Sequence, residues 1–189
     1  MTQMTDVTVE QNNPESGDRS GRGVLLVLLS PSVALLIVTI FVAVTYLAGN
    51  GVSVYESQAI EVVAMQNEIT SRWNQTVDDF NDTHVTSQPE HIALFSTSLD
   101  SVRGLITDSQ AVINRWNEID VPIAHENSYQ LGLEALMAMQ DGLILSEVYF
   151  QSSIDTRIAD QLQAGEASAK LVYAAELWQA AAEMAAIEG

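Results

Sequence analysis

The 189-residue sequence predicts an all-α protein: a single N-terminal transmembrane helix followed by an antiparallel four-helix bundle. Three observations predict it. Residues 24–48 carry no charged side chain. From Tyr55 onward, apolar residues recur at steps of three and four, which lines up one face of a helix. Turn formers interrupt that series at few places, so the connections are short and successive helices run antiparallel. The alternative layout has three long helices, with residues 123–187 continuous and the bundle completed by dimerisation.

Residues 1–22 are polar, lack periodicity and read as a disordered cytoplasmic tail. Residues 23–48 read as the membrane helix. At about 1.5 Å per residue, such a run crosses a hydrocarbon core of about 30 Å. Its end, Tyr46-Leu47-Ala48, is a poor signal-peptidase site because a bulky tyrosine occupies the position that wants a small residue. Tyr46 fits better as an aromatic at the membrane edge. The segment is therefore expected to stay as an anchor. Pro31 either kinks this helix or shortens it. Arg19 and Arg22 precede the run and no basic residue follows until Arg72. The positive-inside rule then puts the N-terminus in the cytoplasm and the remainder outside, giving a single-pass protein of the cell membrane. Residues 49–52, which include Gly49-Asn50-Gly51, read as a hinge, and residues 53–189 as an extracytoplasmic helical bundle.

Within the bundle, the first series runs Tyr55, Ala59, Ile60, Val62, Val63, Ile69, Trp73, Val77, Phe80. It breaks at "NDTHVTSQPEH", which ends in Pro89 and two further polar residues. The second series is Ile92, Phe95, Leu99, Val102, Ile106, Ile113, Trp116, with Ser109 in its one polar slot. This alternating spacing is that of a bundle or coiled-coil helix. Pro122 suits the start of the next helix, with His125 in its first turn. The third series extends from Tyr129 through Ile158 to Leu162, and Gly165 is its expected C-cap. An alanine-rich last helix, residues 168–187, follows. Alanine favours helix and allows close approach of a neighbour.

Composition excludes several functions. There are 25 acidic and 7 basic residues, a net charge of −18. Such a surface repels phosphate backbones, so no nucleic-acid partner is expected. The absence of cysteine removes disulfides, thiolate catalysis, cysteine-ligated metals and a lipoprotein anchor. No phosphate loop, nucleophile elbow or Glu-x-x-His pair is present. His84 and His91, with Asp82 and Glu90, cluster near one loop without a metal-binding spacing and are expected to be solvated. No catalytic residue, metal or cofactor is assigned.

The candidate ligand or partner residues are Arg72, Trp73, Arg115, Trp116, Gln66 and Gln140. "ITSRWNQT" and "VINRWNEI" echo each other around the two Arg-Trp pairs. Each tryptophan falls on an apolar stripe, so core packing is the plainer expectation. Gln66 and Gln140 interrupt their stripes and either set register, stand at the bundle edge or line a cavity. Arg72, Arg115 and Arg157 would bind an anion if they converged.

A membrane helix running into a helical bundle resembles, in architecture alone, the periplasmic half of four-helix-bundle sensor receptors. Those receptors return through a second membrane helix to a signalling region that this sequence does not carry, and the chain is not assigned to them. Any signal is expected to pass through a partner. The expected function is non-enzymatic ligand sensing or protein interaction at the membrane, with the lipid bilayer and a protein partner or second copy as its contacts. The alternative is a structural or assembly subunit of a larger membrane complex, favoured if Leu177 and Trp178 face outward together. An anchored enzyme ranks last.

Overall fold

Four helices and one short 3-10 turn account for the regular structure of residues 54–188, the part of the chain that the structure, a computed structural model, describes. The tail expected at 1–22, the membrane helix at 23–48 and the hinge at 49–52 lie outside the described residues. Among the described residues no helix is long and apolar enough to cross a membrane, and there is no strand.

Helix α1 spans Val54–Asp82, α2 Gln88–Asn117, α3 Glu126–Thr156 and α4 Gln161–Glu188. The 3-10 turn Ile123–His125 leads into α3, so His125 stands just before that helix rather than within its first turn. Contacts fix the directions of the helices. Tyr55 at the start of α1 stacks on His125 before α3, and Glu188 at the end of α4 reaches Asn127 and Ser128. At the other end, Phe80 of α1 meets Phe95 of α2 and Phe150 of α3 edge-on. The helices therefore alternate up and down. The end where α1 begins is the proximal end; the turns 83–87 and 157–160 form the distal end.

The core follows the periodicity of the sequence. α1 buries Val62, Gln66, Ile69, Trp73, Val77 and Phe80, a ladder of three- and four-residue steps. α2 buries Leu99, Val102, Leu105, Val112, Ile113 and Trp116, with Ser109 enclosed in its polar slot. α3 and α4 make the closest pair, whereas α1 packs chiefly on α2. Ala135, Ala138, Gly142 and Ser146 on α3, and Ala164, Ala167, Ser168 and Ala174 on α4, are all buried. These small side chains let the two backbones draw together. A Cβ on Gly142 would lie 2.7 Å from the Leu171 side chain.

The break between the last two helices differs from the expected one. α3 ends at Thr156, not at Gly165, and Gly165 lies inside α4 with open space around it. Ile158 N donates to the Thr156 hydroxyl at 3.3 Å, and Arg157 turns the chain in the left-handed region at φ 60°, ψ 22°. Asp160 then opens α4, its Oδ1 accepting from Leu162 N at 2.9 Å and Gln163 N at 3.4 Å. An aspartate that satisfies the free N–H groups of a helix start is a strong capping signal. It outweighs the apolar spacing that ran through Ile158 and Leu162, which are 69% and 72% exposed. Residues 123–187 are therefore two antiparallel helices, and all four helices of the bundle come from one chain.

Candidate functional site

The cations of the bundle are nearly all committed to joining helices. Arg72 of α1 meets Asp108 of α2. Arg115 of α2 reaches back to Glu61 of α1 at 2.8 Å and along its own helix to Glu118 at 3.3 Å. These two acids, Glu61 first, raise the Arg115 pKa. Arg103 of α2 bonds Glu147 of α3 at 2.8 Å, and Lys170 of α4 lies 3.2 Å from Asp141 of α3. Each consecutive pair of helices is thus bridged. Among the described residues Arg157 is the one lysine or arginine without an acidic partner. Arg72 and Arg115 are each paired with acids, and neither lines the cleft that holds Arg157.

The two echoed tryptophans are core residues. Trp73 is buried against the α1 ladder. Trp116 stacks on Tyr129 at 5.4 Å and donates through Nε1 to the Tyr129 carbonyl at 3.2 Å. Trp178 packs edge-on against Trp116 at 5.8 Å and is buried, with Leu177 half-buried beside the core. The outward apolar pair considered for α4 is therefore absent. Gln66 is buried, its Nε2 3.5 Å from the Thr70 hydroxyl and its Oε1 without a hydrogen bond. Gln140 stands at the α2–α3 edge and donates to Gln110 Oε1 at 3.0 Å. None of the six candidate residues lines either distal cleft described next.

Those two clefts flank the first turns of α2. The capping that starts α2 separates them: Glu90 Oε2 accepts from Thr86 N at 2.7 Å, Ser87 N at 3.1 Å and the Thr86 hydroxyl. Hydrogen bonds from the Thr86 and Ser87 backbone hold the Glu90 carboxyl below its ordinary pKa. One cleft, about 430 Å³, lies between the end of α1 and α2 and includes Asp79, His84 and Glu90. Its hydroxyls on Thr76, Thr83, Thr97, Ser98 and Ser101 all donate to the carbonyl four residues earlier. The other, about 360 Å³, lies between the start of α2 and the α3–α4 turn. It is lined by His91, Ile92, Phe95, Ser153, Ile154 and Arg157 among others. Ser153 is buried, and its Oγ has no hydrogen bond of normal geometry. Beneath it, burial pushes the Tyr149 phenol up to about 12, an effect that the neighbouring Ser153 hydroxyl offsets in part. His84 and His91 fall in different clefts. Among the described residues no group of three or more histidines and carboxylates is placed to hold a metal ion.

The proximal end carries a different cluster. Glu188 accepts from Asn127 Nδ2 at 3.1 Å and Ser128 N at 3.3 Å, so the end of α4 caps the start of α3. These donors, Ser128 first, hold the Glu188 carboxyl below its ordinary pKa, and His125 lies 4.0 Å away. Burial raises the pKa of Tyr55, which stacks on His125. This arrangement fastens helix ends.

Sequence reasoning placed Arg157 among possible anion ligands but did not find Ser153 and His91, which line the same cleft. The readable signal was "SSIDTRIAD", where two serines interrupt an apolar helix just before a turn. No family model, no curated protein and no solved structure matches this chain.

Proposed function

We propose that this chain is a single-pass, membrane-anchored helical-bundle protein whose extracytoplasmic domain binds a ligand at its distal end, without catalysing a reaction. The single observation that carries the reading is the position of the clefts. The uncharged run 23–48 leads into α1, whose first turn lies at the proximal end. Both clefts open at the opposite end of a 29-residue helix, about 40 Å away at the helical rise. An anchor at one end and open polar clefts at the other suit a module that meets solutes away from the bilayer. The clefts offer hydroxyls, one histidine each and isolated charges. Such groups suit recognition rather than the paired nucleophile and base that catalysis requires.

A second reading, a subunit of a larger membrane assembly, is favoured by one feature. Met137, Ile144 and Val148 lie seven and four residues apart on α3 and are 42–47% exposed, an apolar stripe along its outer face. Purification of the tagged full-length protein from its native membrane in mild detergent, with mass analysis of what accompanies it, separates the two. Recovery alone or as a homodimer is the outcome expected for the ligand-binding reading. A stoichiometric partner that survives salt would replace it with the assembly reading.

A further inference from the structure

We propose that the distal cleft between the start of α2 and the α3–α4 turn is a site for a small organic monocarboxylate with an apolar body, and that Arg157 supplies its counter-charge. The inference rests on the ligand-binding reading and gives that ligand a chemistry. Four independent features meet there. Arg157 is the one uncommitted cation among the described residues, while every other one is joined to an acid on a neighbouring helix. Its guanidinium presents a planar fork of donors suited to a carboxylate. Ser153, 6% exposed, lines the same cleft, its Oγ beside the Tyr149 phenol but without a hydrogen bond of normal geometry. A buried polar group that is poorly bonded costs free energy, and a ligand oxygen would relieve it. His91 adds a further donor, and the first turn of α2 adds partial positive charge.

The rest of the lining decides the ligand's body. Ile92, Phe95 and Ile154 are apolar, and a volume of about 360 Å³ suits a small organic acid. A polyanion fits less well, because one arginine cannot balance several charges on a chain of net charge −18. Three acids stand near in sequence and each is engaged elsewhere: Asp155 accepts from Gln151, Asp160 accepts from Leu162 N and Gln163 N, and Glu90 is occupied by Thr86 and Ser87 and lines the other cleft. Arg157 also holds a left-handed backbone conformation that only glycine adopts without cost. A non-glycine residue at such a position is consistent with a role for its side chain.

The test uses the full-length protein in detergent, with benzoate as the probe, benzamide as its uncharged isostere and inorganic phosphate as a bare anion. Affinity is read by calorimetric titration and contact by ligand-observed nuclear magnetic resonance. Benzoate is expected to bind more tightly than either comparator. Arg157→Gly, which suits the backbone, is expected to weaken benzoate by about tenfold or more while leaving the melting temperature unchanged or higher. Arg157→Lys should restore part of the affinity, and Ser153→Ala should lower it several-fold. Arg103→Gln, which removes a paired arginine, should leave binding unchanged. Equal binding of benzamide, or benzoate binding indifferent to Arg157→Gly, would overturn the proposal. Tighter binding of phosphate would do the same. A failure of benzoate while an uncharged or cationic compound occupies this cleft would remove the carboxylate chemistry and leave the ligand-binding reading standing. If no compound of a mixed-charge set binds at the distal end, both fall.

Discussion

At the scale of the residue, three glycines of the bundle have three different surroundings. A Cβ on Gly132 would stand 2.6 Å from Cζ2 of Trp116, and one on Gly142 would stand 2.7 Å from Leu171. Both neighbours are buried, so neither can move aside freely. Gly132→Ala and Gly142→Ala are each expected to destabilise the protein by about 1–3 kcal/mol, the usual cost of overfilling a packed core. Gly165, by contrast, has nothing within 4 Å and lies inside α4. Gly165→Ala should stabilise by about 0.5–1 kcal/mol, because alanine gives up less backbone freedom in a helix. Urea unfolding midpoints of the three variants check both signs together. Arg157→Gly belongs with the stabilising change: removing the left-handed cost is expected to add up to about 1 kcal/mol. These positions also mark where the sequence was legible. Gly165 looked like a helix end because glycine often is one. Whether a glycine terminates a helix, makes room for an indole or fills no special need depends on a neighbour far along the chain, and local sequence does not contain it.

At the scale of the element, the helix ends explain more than the helix middles. The apolar spacing of α1 and α2 could be read directly, since Val62, Ile69, Trp73, Val102 and Trp116 fall where the periodicity puts them. The α3–α4 turn could not, because Ile158 and Leu162 continue the same spacing while lying exposed. Hydrogen bonding at Thr156 and Asp160 decided it instead. Two carboxylates fasten ends in this structure. Glu90 closes the start of α2, and Glu188 joins α4 to the start of α3. Hydrogen bonds lower both folded-state pKa values. A depressed carboxyl stabilises the fold above its unfolded pKa, and that stabilisation is lost as pH falls through the folded one. Acidification from pH 5 into the range below the ordinary carboxylate pKa of about 4.3 should therefore loosen the end of α4 before the core. Amide exchange that accelerates across the last turn of α4 at low pH, and at neutral pH in Glu188→Gln, is the expected result. Protection unchanged in both cases would mean that Glu188 does not hold that end.

At the scale of the whole molecule, charge and packing divide the work. The core is apolar and close-packed at α3–α4, while the ion pairs lie at the surface, with side chains mostly a third or more exposed. Such pairs contribute about 0–1 kcal/mol each, so Arg72→Gln should shift stability by less than about 1 kcal/mol. With 25 acidic residues against 7 basic ones, mutual repulsion among the carboxylates is the larger electrostatic effect. Added sodium chloride should then raise the melting temperature, because screening weakens repulsion summed over the surface. A melting temperature that falls with salt would show that the interhelical pairs dominate. The fold class was legible because helical periodicity repeats over many residues and survives local exceptions. The distal cleft was not, because it joins residues about sixty positions apart, His91 and Ser153 among them, across a turn whose place was misjudged.

The central claim is that an anchored bundle holds its clefts outside the cytoplasm, and cysteine labelling tests it most directly. The chain contains no cysteine, so one introduced thiol reports one position. Asp155→Cys marks the exposed surface near the distal turn, and Ser16→Cys marks the N-terminal tail. A membrane-impermeant maleimide applied to intact cells is expected to label Asp155→Cys at once and Ser16→Cys only after lysis. Labelling of Ser16→Cys in intact cells, with Asp155→Cys protected until lysis, would reverse the orientation and contradict the account. Release of both variants into the soluble fraction would contradict the anchor itself.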